Sequence, residues 1–382
     1  MDFQLDEDLT MLRDMARDFA DAELVPRATR HDRQEKLDPE ILPKLGELGL
    51  LGLTVPEEHG GAGMGNLALC VVLEELNRGC AATGVTVSVH NSLVGAPIRR
   101  FGTDEQKAQW LPKIASGETI GAYCLTEANA GSDAASLVTS ATPDGDEWVL
   151  DGTKLWVTNG GFAGLFIVYA RTDPEASRAR GISAFLVPAD TPGLSVGKHE
   201  KKSGIRGSST TEVVLDKCRI PKGNLLGEEN KGFHLAMDTL DGGRIGIASQ
   251  AVGIGRACLE ASVKYSNERE QFGKTIGSFQ AIQWKLADMS SRLDAARLKT
   301  HKAAWLRDRG DVCTQASAEA KLLASAAANF AADECVQIHG GAGYTDDFHV
   351  ERLFRDARIT EIYEGATDIQ RLVIARNLLT VG

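Results

Sequence analysis

The sequence predicts an α+β chain of three segments: a helical one over 1–118, a strand-rich one over 119–228 and a second helical one over 229–382. Three observations carry this division. Apolar residues recur every three or four positions near the N-terminus, short β-branched and aromatic runs fill the middle, and long alanine- and leucine-rich stretches follow. At 382 residues the chain exceeds what one hydrophobic core normally serves, so more than one domain is expected.

In the first segment Leu5, Leu9, Leu12, Ala16 and Phe19 fall on one helical face. "LALCVVLEELNRG" continues that texture after "EEHGGAGMGN", a glycine-rich loop that could cradle an anion but reads more simply as a flexible connection. The middle holds "EWVLDGTKLWVTNG", "LFIVYART", "ISAFLVPA" and "TEVVLDKCRIP", punctuated by Asp144-Gly145 and Asp151-Gly152, which read as turns. No long helical pattern separates these runs, so an antiparallel sheet or barrel is expected rather than a parallel βαβ arrangement. Beyond residue 229, "AIQWKLADMSSRLDAARLKTHKAAWLRDRG" and "ASAEAKLLASAAANFAADECVQIHG" are long enough for a packed helical bundle.

Several function classes fall away on composition and motif. Hydrophobic residues make up 43% and charged residues 25%, as in ordinary globular proteins, and a formal charge of −11 argues against phosphate-backbone binding. No apolar run reaches the roughly 18 residues a bilayer crossing needs. The acidic start "MDFQLDEDLTMLRDMARDFA" is unlike a secretory or mitochondrial leader, so a cytoplasmic location is expected, although a processed organellar protein would look the same. Seven scattered cysteines without a C-x-x-C pair read as reduced thiols, mostly in the core, and the eight histidines show no metal-ligand spacing. No G-x-G-x-x-G is present. "FGKT" at 272–275 lacks the leading glycine of a P-loop, since residue 268 is glutamate, and no G-x-S-x-G elbow appears.

Four stretches remain, each with a bland reading beside a functional one. In "YCLTEANAGSDAAS", 123–136, Thr126, Gly131 and Ser132 offer small donors to a planar polar ligand, or simply form a turn. In "KLWVTNGG", Trp156 and Thr158 alternate along a strand and share a face that suits an isoalloxazine-sized ring, although a lone strand tryptophan is usually core. Arg269, followed by Phe272 and Gln280, could pair with a pyrophosphate or with a surface carboxylate. Gly340 and Gly341, inside "QIHGGAGYTDDFHVERLFRDARITEIYEGATDIQR", let a backbone approach a ligand. Glu364 in "TEIYEGATDIQR" is by itself an ordinary surface charge.

Taken in order and at these separations, the stretches closely resemble the acyl-CoA dehydrogenase family of flavoproteins, along essentially the whole chain. Two family signatures carry the resemblance: C-L-T-E-A-N-A-G-S-D at 124–133, and Gln337 through Gly340, Gly341, Gly343 and Asp347 to Arg352 and Asp356. "TLDGGRIGIASQAVGIG" and "RDARITEIYEG" place it nearest the short-chain, butyryl-CoA branch. The resemblance implies an N-terminal helical domain, a middle antiparallel β-barrel or sandwich and a C-terminal four-helix bundle, with FAD between the last two. It implies flavin contacts from Tyr123, Leu125, Thr126, Gly131 and Ser132, with Trp156 and Thr158 on the ring's other side. Arg269, Phe272, Gln280 and the backbone of Gln337, Ile338, Gly340 and Gly341 would reach the FAD of a neighbouring subunit, and Thr367 and Asp368 would touch the cofactor again. A shared site implies an obligate oligomer, a homotetramer built as a dimer of dimers.

Asp241 and Arg244 match positions near the CoA moiety, Gly365 one at the acyl thioester, and Ser132 lies where substrate and flavin meet. Glu364 matches the base that removes the pro-R α-proton of an acyl-CoA. The β-hydride then passes to flavin N5, giving a trans-2-enoyl-CoA, and the electrons go on to an electron-transferring flavoprotein. In the family, polarisation of the thioester by a backbone N–H and an FAD ribityl hydroxyl makes the α-proton acidic enough. Exclusion of water is expected to raise the Glu364 pKa toward neutrality. Members with the base on an upstream helix carry it where this chain has Gly243, so Glu364 has no such rival. Ala128 stands where the family usually has proline, and Ala366 where it usually has threonine. A straight C4–C6 acyl group is the expected substrate. Branched or cyclic short acyl groups, an acyl-CoA oxidase, and a non-catalytic CoA- or flavin-binding scaffold are the alternatives.

Overall fold

The computed structural model describes residues 4–379; Met1–Phe3 and Thr380–Gly382, the two tips of the acidic start and of the family-like tail, lie outside the described residues. Helices α1 (Glu7–Phe19), α2 (Val25–Gln34), α3 (Ile41–Glu47), α4 (Asn66–Gly79), α5 (Ala81–Val89), α6 (Ala96–Phe101) and α7 (Asp104–Ser116) form the first segment. Local chemistry sets their ends. Asp6 caps α1 by accepting from the Leu9 N–H at 2.8 Å, with Glu7 and Asp8 in the first turn. Thr103 and Gln106 form a capping box at the start of α7. On α1, Leu12, Ala16 and Phe19 are buried, the face the spacing predicts. The loop over 57–66 is a connection containing one short 3-10 turn, Glu57–His59.

Strands β1 (Gly121–Cys124), β2 (Ser140–Asp144), β3 (Glu147–Thr158), β4 (Leu165–Arg171), β5 (Ile182–Pro188), β6 (Leu194–His199), β7 (Thr210–Pro221) and β8 (Leu225–Leu226) make one sheet in the order β6-β7-β3-β2-β4-β5-β8, with β1 added beside β4. Most pairings are antiparallel, as expected, but β1 and β2 both run parallel to β4. The Asp144-Gly145 turn joins β2 to β3. Asp151-Gly152 is not a turn: β3 runs straight through it with Gly152 paired to Leu215, and the bulge at this point lies on β7, where Asp216 and Lys217 stand opposite Asp151. Strand pairing on both sides outweighs the local turn preference of that dipeptide.

The last segment is built on α8 (Gly232–Glu268), α9 (Gln280–Asp308), α10 (Thr314–His339), α11 (Val350–Arg358) and α12 (Thr367–Leu379), with a small hairpin, β9 (Glu270–Gln271) and β10 (Lys274–Thr275), between α8 and α9. Helix α8 is buried along most of its length because α4, α5, α9 and α10 all pack on it. Alanines at 316, 318, 320, 324, 327, 328, 331 and 332 line the buried face of α10 and let the helices lie close. The two helical segments share one core, with α1, α4, α5, α8, α9 and α10 all contributing to it. All seven cysteines are free and buried.

Candidate active site

Glu364 sits in the short link between the 3-10 turn Ile359–Glu361 and α12. Its backbone is left-handed, φ 49°, and Gly365 follows at φ 94°. Positive φ is uncommon for a residue with a side chain, and where it persists the surroundings impose it. Here the carbonyls of the kink are held from two sides. Lys321 Nζ, from α10, donates to Gly365 O at 2.8 Å and to Thr360 O at 3.0 Å. Gln370 Nε2, from the first turn of α12, donates to Gly365 O at 2.7 Å and to Glu364 O at 3.3 Å. Both side chains are buried.

The kink turns the Glu364 carboxyl inward. Burial raises its pKa to about 7, while Lys321 and Arg244 pull the other way. One carboxyl oxygen, Oε2, is buried and has no hydrogen-bond partner among the described residues. Such an oxygen costs stability, and folded proteins keep one chiefly where a ligand or a reaction uses it. Gly243 on α8 makes the room. A Cβ there would press well inside contact distance of that same oxygen and come within 2.8 Å of Leu93 Cδ2. Position 243 therefore does more than lack a rival carboxylate; it lacks any side chain that would push Glu364 away.

Arg244 and Asp241 lie beside Gly243 on α8. They are paired at 2.6 Å, and the Thr314 hydroxyl donates to the other Asp241 oxygen at 2.5 Å. Arg244 Nε is buried without a partner. Tyr123 approaches from β1, its ring 5.1 Å from that of Tyr169, and burial, Tyr169 and Glu364 all raise its phenol pKa. The loop after β1 is fastened to β3: the Leu155 N–H donates to Thr126 O at 2.9 Å. Lys154, fully buried on β3, donates to Glu127 at 2.6 Å and to Leu125 O at 3.3 Å. Glu127 in turn accepts the N–H groups of Val138 and Thr139 at 2.7 and 3.0 Å. This fastening sets Leu125 and Thr126 beside Trp156, which is 60% exposed at φ 60°. Thr158 is partly exposed and Val157 between them is buried, but the strand does not alternate simply here: a bulge between Lys154 and Val157 carries Trp156 outward. Gly131 and Ser132 lie at the open rim, and a Cβ on Gly131 would meet nothing within 4 Å.

A second group of predicted residues collects at the far end of the bundle. Arg269 caps α8, Phe272 stands 93% exposed in the β9–β10 hairpin, and Gln280 opens α9. Gln337 and Ile338 end α10, followed by Gly340 (φ 60°) and Gly341, where an added Cβ would meet nothing within 4 Å. Tyr265 stacked on His339 at 4.2 Å ties the ends of α8 and α10 together. At about 1.5 Å per residue, Arg244 and Arg269 are roughly 38 Å apart along α8. The predicted cofactor residues thus fall into two groups that the fold keeps apart. Thr367 donates to Glu361 O at 3.2 Å and exposed Asp368 pairs with Arg371 at 2.9 Å, so both are engaged by their own chain.

The residues fit FAD: an aromatic face and small donors for the ring region, and open glycine backbone with an arginine for a pyrophosphate. Three side chains that hold the site, Lys154, Lys321 and Gln370, were not singled out from sequence. For Lys321 the signal is its spacing. It lies on the buried face of an alanine-rich helix with Ser317, Ala324 and Ala328, where a lysine must have an internal partner. No group of histidine, cysteine, aspartate and glutamate among the described residues could hold a metal, and no described helix is long and apolar enough to cross a membrane.

Comparison with known proteins agrees in sequence and in shape. Family models for the acyl-CoA dehydrogenase N-terminal, middle and C-terminal domains match residues 6–118, 122–218 and 230–379. The mitochondrial short-chain specific acyl-CoA dehydrogenase of Rattus norvegicus is 52% identical over 376 residues, covering 98% of this chain and 91% of that protein. The structure of butyryl-CoA dehydrogenase from Megasphaera elsdenii superposes with a TM-score of 0.97 at 42% identity, covering 99% of this chain and all of that one. A structure from work on the electron transferring flavoprotein of Acidaminococcus fermentans and flavin-based electron bifurcation superposes with a TM-score of 0.98 at 45% identity, over 99% of this chain and 100% of that chain. Matched segment by segment and nearly end to end, the chain belongs to the acyl-CoA dehydrogenase family, and it is an FAD-carrying oxidoreductase that dehydrogenates acyl-CoA thioesters.

Proposed function

We propose that the substrate is a short, straight acyl-CoA of about butyryl size, oxidised to the trans-2-enoyl-CoA, and that Glu364 is the base that takes its pro-R α-proton. One observation carries the reading: a half-buried glutamate whose pKa stands at about 7, with its buried oxygen Oε2 left unbonded among the described residues. A base is most useful when its pKa lies near the working pH, because it is then both ionised and basic. Lys321 and Arg244 offset enough of the burial to keep the carboxylate available. The thioester lies at Gly365 and the CoA runs toward Asp241 and Arg244, with the unpartnered Arg244 Nε as a free donor. Bound FAD supplies the acceptor for the β-hydride, at N5.

On this reading Tyr123, Leu125, Thr126, Gly131, Ser132, Trp156 and Thr158 of one subunit hold the flavin end. Arg269, Phe272, Gln280, Gln337, Ile338, Gly340 and Gly341 of a neighbour take the adenosine and pyrophosphate end, and Thr367 and Asp368 contribute through their backbone. A homotetramer is the assembly, supported by the large apolar surfaces left exposed at Phe272, Trp284 and Trp305. An electron-transferring flavoprotein is the acceptor, supported by the solved neighbour studied with one. In the direct test, Glu364→Gln retains FAD absorbance and loses about 10³-fold or more of its turnover on butyryl-CoA. A variant that turns over within a few fold of the parent refutes the assignment. Anaerobic flavin bleaching across a panel of straight, branched and cyclic acyl-CoA thioesters decides the chain length.

A further inference from the structure

The strongest unexplained feature lies beside the base rather than on it. Lys321 is 1% exposed, within α10, and it forms no ion pair of 4 Å or less with any carboxylate among the described residues. A buried lysine without a close counter-ion is expensive, so its retention calls for a use. Its ammonium instead spans the turn that carries the base, gripping Thr360 O before the kink and Gly365 O after it. Gln370, also 1% exposed, grips the Glu364 and Gly365 carbonyls from the opposite side. Between these grips lie two consecutive left-handed residues, and a side chain at Gly365 would meet Gln370 Nε2 at 2.5 Å.

We propose that Lys321 and Gln370 are the positioning residues of the catalytic turn: together they clamp the strained Glu364-Gly365 backbone so that the carboxyl faces the substrate α-carbon, with the Lys321 ammonium as a fixed positive charge built into that turn. The inference rests on Glu364 being the base. Strain in a turn of this kind persists only while the surroundings over-determine it, and four hydrogen bonds from two buried side chains do so. The amide of Gln370 supplies donors without charge, whereas Lys321 supplies donors and a positive charge. The two roles can therefore be separated by substitution.

The electrostatic surroundings are few. From α10 the carboxyl meets Lys321; from α8 it meets Arg244, whose own charge is shared with Asp241. Tyr123 from β1 and Tyr363 from the same turn are neutral phenols, both pushed further from ionisation by burial and by Glu364 itself. Glu361 acts on Lys321 from the preceding turn, and Asp368 at the start of α12 points to solvent, paired with Arg371. Burial lowers the Lys321 pKa to about 8 and Glu364 resists that fall, so the ammonium is present wherever the carboxylate first forms.

The test uses the FAD-loaded enzyme and anaerobic single-turnover bleaching of the flavin by butyryl-CoA, followed against pH. Lys321→Gln keeps a donor and removes the charge: the acid limb of its profile should move up by about one pH unit, since a nearby opposite charge holds a carboxyl down by that much or more. Lys321→Met removes both and should show the same displaced limb together with a plateau about tenfold lower or worse, the scale of a displaced catalytic group. Gln370→Ala removes donors only, so its plateau should fall while its acid limb stays in place. An unmoved limb in Lys321→Gln overturns the electrostatic role. A wild-type plateau in both Lys321→Met and Gln370→Ala overturns the clamp, and if Lys321→Met does not hold FAD, a wild-type plateau in Gln370→Ala alone does so. Glu364→Gln, run in parallel, separates the two levels: if it bleaches normally, the base assignment itself has failed, whatever the Lys321 variants do.

Discussion

Two glutamates, Glu75 buried on α4 and Glu364 half-buried in the turn before α12, have opposite characters. Glu75 on α4 is met by Arg17 at 3.0 Å, Arg78 at 3.0 Å and Arg256 at 2.7 Å. Burial alone would raise its pKa, but these guanidinium groups hold it at about 2. Its neighbour Glu74 is saturated in the same way by Arg297 and Arg256. Glu364 also has two cations close by, yet neither hydrogen-bonds its carboxyl among the described residues, and burial prevails, at about 7. Burial does not distinguish a structural carboxylate from a reactive one. The bonds its oxygens make do.

The sharpest way to break this contrast is to make one substitution in both places and compare signs. Glu75 is ionised and paired, so Glu75→Gln strands buried arginines and should destabilise the fold by about 3 kcal/mol at pH 7. Its contribution is present above the ordinary value of 4.5 and is lost as pH falls toward about 2. Glu364 works the other way. Its folded pKa lies above 4.5, so its stabilising protonated form is fully present below that value and is lost as pH rises through about 7. Glu364→Gln should therefore be more stable than the parent at pH 8, by up to about 3 kcal/mol, and no different near pH 4. Thermal melts of the FAD-loaded proteins at both values read this directly. A Glu364→Gln protein that melts earlier at pH 8 would contradict the idea that an unpaired carboxylate is held there at a cost.

The next effect sharpens the contrast by geometry. Gly243→Ala adds one carbon that presses on Glu364 Oε2, and the carboxyl, as the free end of a flexible side chain, is what can yield. Turnover on butyryl-CoA should fall about 100-fold, the cost of moving a catalytic group by an ångström or so, with FAD content unchanged. An adjacent substitution on the same helix, Gly242→Ala, meets only the Arg307 side chain, at 3.2 Å, and serves as the control. Equal losses in the two would mean that helix packing, rather than room for the base, is at stake.

Much of this architecture was legible because its signals are local. The apolar spacing of α1, the β-branched runs of β4 and β5, and the length of α9 and α10 each declare their element within a dozen residues. Glu364 was legible only through the surrounding family signature, since nothing in "IYEGAT" says that its carboxyl is dry. Asp151-Gly152 misled because a turn dipeptide can equally run as strand when neighbours pair on both sides, here Ser140 to Asp151 and Leu215 to Gly152. The clamp was illegible for a different reason: Lys321 lies 43 positions before the glutamate it serves, and its partners are backbone carbonyls, which leave no trace in side-chain patterns. Lys154 escaped likewise, because a fully buried lysine in a strand announces itself only once Glu127 is seen folding back onto it.

The pH profile of the unmodified enzyme joins the two halves of the comparison. If Glu364 is the base, as proposed, its ionised form is the active one, so kcat/KM for butyryl-CoA, measured with an artificial electron acceptor, should hold its plateau above about 7 and fall about tenfold per unit below it. Glu75 does not titrate until far lower, near 2, so its arginine pairs persist through this whole range. Stability should meanwhile move in the opposite direction across the same window, rising as Glu364 takes up its proton. A carboxylate saturated like Glu75 would make both quantities fall together on acidification, because its ionised form is the one that holds the fold. Burial also raises Asp356, to about 6, so the trend is read against Glu364→Gln: a melting temperature that rises between about pH 8 and 6 in the parent and rises less in that variant belongs to Glu364, and an equal rise in both would return Glu364 to the class of Glu75.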